Sequence, residues 1–250
     1  DVQTTTVGGI EYILSGGNAI ASGVTSALSS VVNIPASISY GGKSYPVVSI
    51  ASSIFRGNTT ITSVSLPNSI GSFDSHMFDG CTSLTSVTLP SSLKEIPDYA
   101  FYGCTSLQSI SIPSSVTLIG EYAFYGCSAI TSLTIPANVS KLGKLCFWNL
   151  SALKELTIED SSEVLHLNNG YGYYGMFRNS PLSKLYLGRD LEYYDDYKAS
   201  PFYNQTAPIE VTIGPQVTEL GNYLFYSDTG LKSITIPANV QSIGEKAFYG

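Results

Sequence analysis

The sequence predicts a solenoid, which is a chain coiled into stacked repeats of similar length. Three observations lead to this prediction. The stretch 84–104 recurs almost position for position at 107–127, a spacing of 23 residues. An apolar residue followed by proline recurs at the same spacing at 66–67, 89–90, 112–113 and 135–136, and a phenylalanine holds one position in nine successive repeats. A fixed period between about 20 and 50 residues is typical of such architectures, in which each repeat buries its apolar face against its neighbours.

The first 37 residues are expected to form an N-terminal β cap. Segments 9–14 and 19–21 have the character of strands, and the Ser-Gly-Gly-Asn sequence at 15–18 suits the hairpin turn between them. Such a hairpin would cover the first exposed strand edge of the solenoid. Residues 38–250 are then the solenoid, with about eight to nine repeats. A second hairpin turn is expected at 40–43, within the first repeat.

Each regular repeat begins with a short strand. In the run 86–89, two apolar residues alternate with two hydroxyl residues, so one face of the strand is expected to be buried. Proline ends the strand because it has no N–H to donate. An acidic residue, Asp98 or Glu121, then suits the first turn of a short helix that a glycine ends. The phenylalanines that follow predict a stacked aromatic spine, at Phe55, Phe78, Phe101, Phe124, Phe147, Phe177, Phe202, Phe225 and Phe248.

Three of the four cysteines are also in register. Cys81, Cys104 and Cys127 are 23 residues apart and should lie one above another, whereas Cys146 falls in another small, buried position. A column of buried thiols is one interpretation, since free cysteine is often buried. Coils about 5 Å apart would also permit a disulfide. The close spacing of metal ligands, such as C-x-x-C, does not occur, and no metal site is predicted.

The pattern L-x-x-[VI]-x-[IL]-P-x-x-[VL]-x-x-I-[GP]-x-x-A-F-x-G-C, taken from 84–104 and 107–127, resembles the bacterial leucine-rich repeats of the BspA type, also called the Treponema pallidum type. The resemblance covers roughly residues 47–250. It implies a leucine-rich repeat solenoid, a curved right-handed superhelix with parallel strands on the concave face and short helical or 3-10 turns on the convex face. It also implies a non-enzymatic recognition or adhesion protein, secreted or at the bacterial cell surface, with its signal segment removed.

The repeat becomes irregular at 159–210, where its spacing lengthens to 29 and then 26 residues. Eight of the 18 tyrosines lie in this region, at Tyr171, Tyr173, Tyr174, Tyr186, Tyr193, Tyr194, Tyr197 and Tyr203. Insertions in a solenoid map to loops on one face, often the binding face, and tyrosine is enriched in interfaces. The other interpretation is that these tyrosines only pack an irregular repeat. The last repeat is incomplete at Gly250, so the natural chain is expected to continue.

Composition argues against several functions. Charged residues make up 12% of the chain and the net charge is −7, so neither nucleic acid nor an anionic membrane is an expected partner. Apolar runs stay well short of the roughly 20 residues that cross a bilayer, so no direct membrane insertion is predicted. There are two histidines, and no G-x-S-x-G, P-loop or G-x-G-x-x-G motif. The sequence predicts neither an enzyme nor a cofactor.

The candidate binding residues lie on the exposed positions of the later strands and in the tyrosine-rich region. The first four repeats expose only serine and threonine beside their buried strand residues. Charged residues and tyrosine appear at these positions from Glu155 onward. The candidates are Glu155, Glu159, Tyr171, Tyr173, Tyr174, Lys184, Tyr186, Tyr193, Tyr194 and Glu210. A host or other extracellular protein is the expected partner, bound through the concave face. Two alternatives are a carbohydrate-binding module, because tyrosines beside carboxylates suit sugars, and a structural spacer that displays another domain.

Overall fold

A computed structural model describes residues 2–168 and 174–250 of the chain. The first six strands are β1 (Gln3–Val7), β2 (Ile10–Ser15), β3 (Asn18–Val24), β4 (Val31–Asn33), β5 (Ser37–Tyr40) and β6 (Lys43–Ile50). Five of them form one sheet in the order β1-β2-β3-β6-β5. Both predicted hairpins are confirmed, because Ser15 pairs with Asn18 and Tyr40 pairs with Lys43. The sheet continues past residue 37 to Ile50, so the second hairpin packs with the first.

The remaining strands are short and recur once or twice in each coil. They are β7 (Ser63–Ser65), β8 (Ser86–Thr88), β9 (Glu95–Ile96), β10 (Leu118–Ile119), β11 (Ser132–Ile135), β12 (Lys141–Leu142), β13 (Glu155–Ile158), β14 (Leu165–Leu167), β15 (Lys184–Leu187), β16 (Leu191–Glu192), β17 (Glu210–Ile213), β18 (Glu219–Leu220) and β19 (Ser242–Ile243). Each of them pairs in parallel with a strand of a neighbouring coil, which confirms the predicted solenoid.

Each coil has three sides. The first, which we call the strand face, carries the sheets β4-β7-β8 and β11-β13-β15-β17. The second, which we call the second sheet, carries β9-β10-β12-β14-β16 and then the pair β18-β19. The third side, which we call the turn face, holds the segment around each core phenylalanine. The buried core fills the space between the three sides.

The turn face consists of hydrogen-bonded turns where short helices were expected. Within one coil, the amide of Tyr102 donates to the carbonyl of Tyr99 at 3.2 Å. The amide between them, on Phe101, donates to Ala123 in the next coil at 2.7 Å. Since every second amide bonds across coils, the i→i−4 pattern of an α-helix cannot form. One 3-10 helix, Tyr197–Ala199, occurs in the described part of the chain.

Asp98 has a different role from the expected one at a helix N-terminus. The Oδ1 atom of Asp98 accepts a hydrogen bond of 2.7 Å from the backbone N–H of Glu121 in the next coil. Asn222 accepts the same bond from Glu245 at 2.7 Å. The side chain therefore joins neighbouring coils.

The aromatic spine is confirmed. Neighbouring rings from Phe55 to Phe248 are stacked, with centroids 5.0 to 6.0 Å apart. The first eight of the nine rings are buried, whereas Phe248 is 39% exposed. This continuous stack is the centre of the core.

The cysteine column is also confirmed, and the disulfide alternative is wrong, because all four thiols are free and buried. The thiols of Cys81, Cys104 and Cys127 donate to the carbonyl oxygens of phenylalanines in the preceding coil at 3.0 to 3.2 Å. Burial raises the pKa of Cys81 to about 12 and raises the pKa of the other three thiols as well. The thiols therefore stay protonated and act as buried donors.

Candidate binding surface

The strand face changes character where β13 begins. Parallel pairing places Ser132, Glu155, Lys184 and Glu210 side by side in one row across β11, β13, β15 and β17. All four side chains are exposed. Neighbouring strands lie about 4.8 Å apart, so Lys184 follows in this row between two glutamates. We call Glu155, Lys184, Tyr186 and Glu210 the central patch.

The charges of the central patch are not used to hold the fold together. Four ion pairs within 4.0 Å occur among the described residues, and none includes Glu155, Lys184 or Glu210. Their backbones, by contrast, are fixed by the ladder of the sheet. The patch thus combines an alternating charge pattern with a rigid support, and a partner can bind it without ordering a loop.

The tyrosine of the central patch is held in place by a carboxylate. Tyr186 lies in the second row of the strand face, between Thr157 and Thr212, and is half-buried. Its hydroxyl donates to Oδ1 of Asp160 at 2.9 Å, and this bond raises the pKa of Tyr186. The ring is therefore pre-organised beside the charged row.

Loss of the repeat proline makes this arrangement possible. The position of Pro90 and Pro136 is taken by Glu159, Gly188 and Gly214 in three successive coils. The amide of Gly188 donates to the carbonyl of Ile158 at 2.8 Å, a bond that proline could not make. A Cβ atom on Gly214 would lie 2.9 Å from the Tyr186 hydroxyl and 2.5 Å from Asp160 Oδ1. Glycine is therefore required beside this pair.

A buried arginine supports the edge of the strand face. Arg189 is completely buried, and its guanidinium donates to the carbonyls of Pro136, Ala137 and Val139 at 2.8, 3.1 and 2.6 Å. Burial lowers its pKa, and the charge of Glu159 opposes that change. Sequence reasoning missed Arg189. The available signal was a single arginine directly after the glycine that replaces the proline.

Glu159 acts on the same turn as Arg189. Its Oε2 accepts a hydrogen bond of 2.9 Å from the backbone N–H of Ala137, although the side chain is exposed. The predicted candidate therefore lies at the edge of the strand face, where one of its oxygens already has a structural partner.

Two further candidates lie beyond the second sheet. Tyr193 is half-buried and its hydroxyl donates to the carbonyl of Asn222 at 2.8 Å; burial raises its pKa. Tyr194 is 48% exposed. Both border a shallow cavity of about 350 Å³ beside the His166–Glu192 ion pair of 2.9 Å. They do not share a surface with the central patch, because the second sheet is a separate side of the coil.

The last three candidates belong to the turn face or to undescribed residues. Tyr174 is exposed and the guanidinium carbon of Arg178 lies 3.6 Å from its ring centroid. Tyr171 and Tyr173 lie outside the described residues. The tyrosine-rich region is thus divided between sides of the solenoid, and it does not form one binding surface in the described chain.

The described residues show neither of two further kinds of site. They contain no cluster of three or more side chains suited to a metal ion. This part of the chain also lacks a helix long and apolar enough to cross a membrane.

Comparison with known proteins agrees with the geometry. The model of the BspA type leucine rich repeat region matches residues 48–170 and 171–250, in six copies. The structure is similar to the leucine-rich repeat protein of Treponema pallidum, with a TM-score of 0.57 and 26% identity over 76% of this chain and 85% of that one. A leucine-rich repeat protein of Bacteroides ovatus has the same fold, with a TM-score of 0.54 and 23% identity over 99% of this chain and 78% of that one. A search among curated proteins found no match.

Proposed function

The chain belongs to the BspA-type leucine-rich repeat family, and from this membership and the geometry of the strand face we propose that it is a recognition protein. It is exported to the bacterial surface or secreted, and it binds an extracellular protein of the host or of another cell. Binding takes place at the central patch. No step of chemistry is required of the chain.

One observation carries this proposal. The row Glu155, Lys184 and Glu210 exposes three charges that have no ion-pair partner within the described residues, on strands that are otherwise fixed. The corresponding positions of earlier coils carry serine, as at Ser63 and Ser86. An alternating charge pattern favours a partner of complementary charge and sets its register more than its raw affinity.

A neighbouring cleft adds contact area to the central patch. It has a volume of about 700 Å³ and lies between β17 and the segment 233–237 of the next coil. Glu210 and Lys232 line it together with the apolar side chains of Ile213 and Ile234. A charged rim beside an apolar recess is the usual composition of a protein interface.

The test is a binding screen with a matched control. Purified extracellular-matrix and plasma proteins are immobilised, and the wild-type chain is compared with the triple variant Glu155→Ala, Lys184→Ala, Glu210→Ala. The triple variant should weaken binding about tenfold or more, which corresponds to about 1.4 kcal/mol. The control variant Ser63→Ala, Ser86→Ala, Ser109→Ala changes three serines of the same face, of which Ser63 is half-buried and the other two exposed, and it should bind like wild type.

Two results would reject the proposal. If both triple variants bind as tightly as wild type, the strand face is not the recognition surface. If the chain binds on a glycan array and to none of the proteins, carbohydrate recognition replaces protein recognition.

A further inference from the structure

The turn face carries a second ordered surface, formed by aromatic side chains. We call it the tyrosine stripe, and its first half consists of His76, Tyr99, Tyr102, Tyr122 and Tyr125. The ring centroids of His76 and Tyr99 are 4.6 Å apart, those of Tyr99 and Tyr122 are 5.0 Å apart, and those of Tyr102 and Tyr125 are 5.1 Å apart. The stacked planes lie within 16° of each other. The rings therefore form two ladders along the solenoid axis, outside the core.

Folding alone does not require these rings. His76, Tyr99 and Tyr122 have φ angles of 62°, 57° and 55°, a region that costs bulky residues about 1–3 kcal/mol each. Ser53 and Lys246 hold the same position in other coils with φ angles of 57° and 52°. A non-aromatic residue thus suffices for the turn, so the aromatic rings serve a purpose other than closing it.

The stacking decides what a partner can contact. Tyr99 stacks between His76 and Tyr122, so its edge and hydroxyl group are what it offers to a partner. A sugar ring binds tyrosine by lying on a free aromatic face, and stacking on both sides removes such a face from Tyr99. Exposed edges and hydroxyls suit a protein, as in the tyrosine-rich binding loops of antibodies.

The charge of the first half is negative. Asp98 and Glu121 are exposed between its rings, and Asp98 is fixed by its bond to the Glu121 amide. Residues 57–143 contain two lysines and no arginine, and both lysines belong to the second sheet or its approach: Lys94 directly precedes β9, and Lys141 lies in β12. Basic side chains reach its two ends: the ammonium group of Lys144 lies 5.9 Å from the centroid of the Tyr122 ring, and Arg56 pairs with Asp79, beside His76, at 3.4 Å.

The second half of the turn face is neutralised by the chain itself. There Arg178, Lys198 and Lys246 each place their charge 3.6 to 5.9 Å from the centroid of a tyrosine ring. Arg178 lies over Tyr174 and is also 5.3 Å from the Tyr203 ring. Tyrosines of this face thus already contact basic side chains wherever the chain supplies them.

We propose that the first half of the tyrosine stripe is a docking surface for a lysine- or arginine-rich segment of a partner protein. The ammonium or guanidinium groups bind Asp98 and Glu121, and their N–H groups also donate to the phenolic oxygens. The aliphatic stems of the partner pack on the ring edges. This surface lies on a different side of the coil from the central patch, so it acts independently of the strand face.

The test measures binding of a fluorescein-labelled peptide of eight lysines by anisotropy at low salt. The double variant Asp98→Asn, Glu121→Gln should weaken binding about fivefold, since each exposed ion pair contributes a modest amount. Both substitutions preserve size and the backbone bond, so the fold is retained. The double variant Tyr102→Phe, Tyr125→Phe removes only the hydroxyls and should weaken binding about threefold.

The matched control is Glu95→Gln, Glu219→Gln, which removes two exposed negative charges from the second sheet. It should change binding of the lysine peptide less than twofold. Equal weakening by both charge variants would show that net charge alone attracts the peptide and would overturn the proposal. Failure of the wild-type chain to bind the lysine peptide, or binding of a peptide of eight glutamates with equal affinity, would overturn it as well.

Discussion

Single residues distinguish the irregular coils from the regular ones mainly in the core. The position of Cys81, Cys104 and Cys127 is taken by polar residues in later coils, namely Ser180, Gln205 and Asp228. Gln205 preserves the bond of the thiol, because its Nε2 donates to the carbonyl of Phe177 at 3.2 Å. The Oδ1 atom of Asp228 accepts a hydrogen bond of 2.7 Å from the backbone N–H of Gln205. Its buried Oδ2 atom has no hydrogen-bond partner. The polar side chains at this position therefore differ from coil to coil in the hydrogen bonds that they make.

Arg189 provides the first prediction at this scale. Replacing it in the variant Arg189→Met leaves three carbonyl oxygens of the turn 136–139 without their donors. We expect a loss of about 2–4 kcal/mol in the free energy of unfolding, measured by urea denaturation. The control Arg178→Met removes a half-buried guanidinium over Tyr174 and should cost about 1 kcal/mol or less. Equal losses in both variants would contradict the role given to Arg189.

Asp228 provides a prediction of pH dependence. Burial raises its pKa to about 8, from an ordinary value of 3.8. Between these values the folded chain holds a proton that the unfolded chain has released. The stability linked to this group is therefore fully present below about pH 4 and is lost as the pH rises toward 8.

The variant Asp228→Asn imitates the protonated carboxyl and should remove this loss. Its melting temperature should exceed that of wild type at pH 8 and approach it at pH 4, as followed by circular dichroism. Asp74→Asn changes an exposed carboxylate and should leave the wild-type pH profile unaltered. A profile of Asp228→Asn parallel to that of wild type would show that Asp228 is already ionised in the folded chain.

At the scale of elements, the spine of stacked phenylalanines is the feature that joins the coils. Phe124 is completely buried and lies between Phe101 and Phe147 at 5.0 and 5.4 Å. Phe248 stacks on Phe225 alone among the described rings and is 39% exposed. Removing a ring from the middle of the stack should therefore cost more than removing one at its end.

The variant Phe124→Ala should lose about 3–5 kcal/mol of unfolding free energy, because it opens a cavity that stacked coils cannot close. Phe248→Ala should lose less than half as much. Urea denaturation of the two variants measures the difference. A loss for Phe248→Ala as large as that for Phe124→Ala would mean that the spine is not the main contact between coils.

The elements also show which parts of the structure the sequence could predict. Strands and spine repeat one buried face every 23 residues, and burial alone fixes them. The expected helices were wrong because amides such as that of Phe101 bond to the next coil, and no local pattern reveals such a bond. Arg189 resembles a surface residue in sequence, and its burial depends on carbonyls about 50 positions earlier.

The repeat pattern also explains why only some of the candidate residues could be placed together from the sequence. Glu155, Lys184 and Glu210 could be placed together because strand register follows from the repeat. Tyr174 and Tyr193 could not, because lengthened spacing does not tell which side of the coil receives the extra residues. Tyrosine content alone therefore grouped side chains that belong to different sides of the solenoid.

For the whole molecule, the regular coils form a rigid scaffold. Backbone ladders on the strand face, the second sheet and the turn face hold the coils in fixed register. The irregular coils place Tyr186 and three charged side chains without ion-pair partners on the strand face. The tyrosine stripe lies on the turn face. A rigid support of this kind allows the two surfaces to bind separately.

The most direct test of the central claim is hydrogen–deuterium exchange of the chain with and without a bound protein partner from the screen. We expect slower exchange at 155–160, 184–190 and 210–214, and unchanged exchange at 63–65 and 86–88. Protection confined to the serine-rich strands, or spread evenly along the strand face, would contradict the assignment of recognition to the central patch.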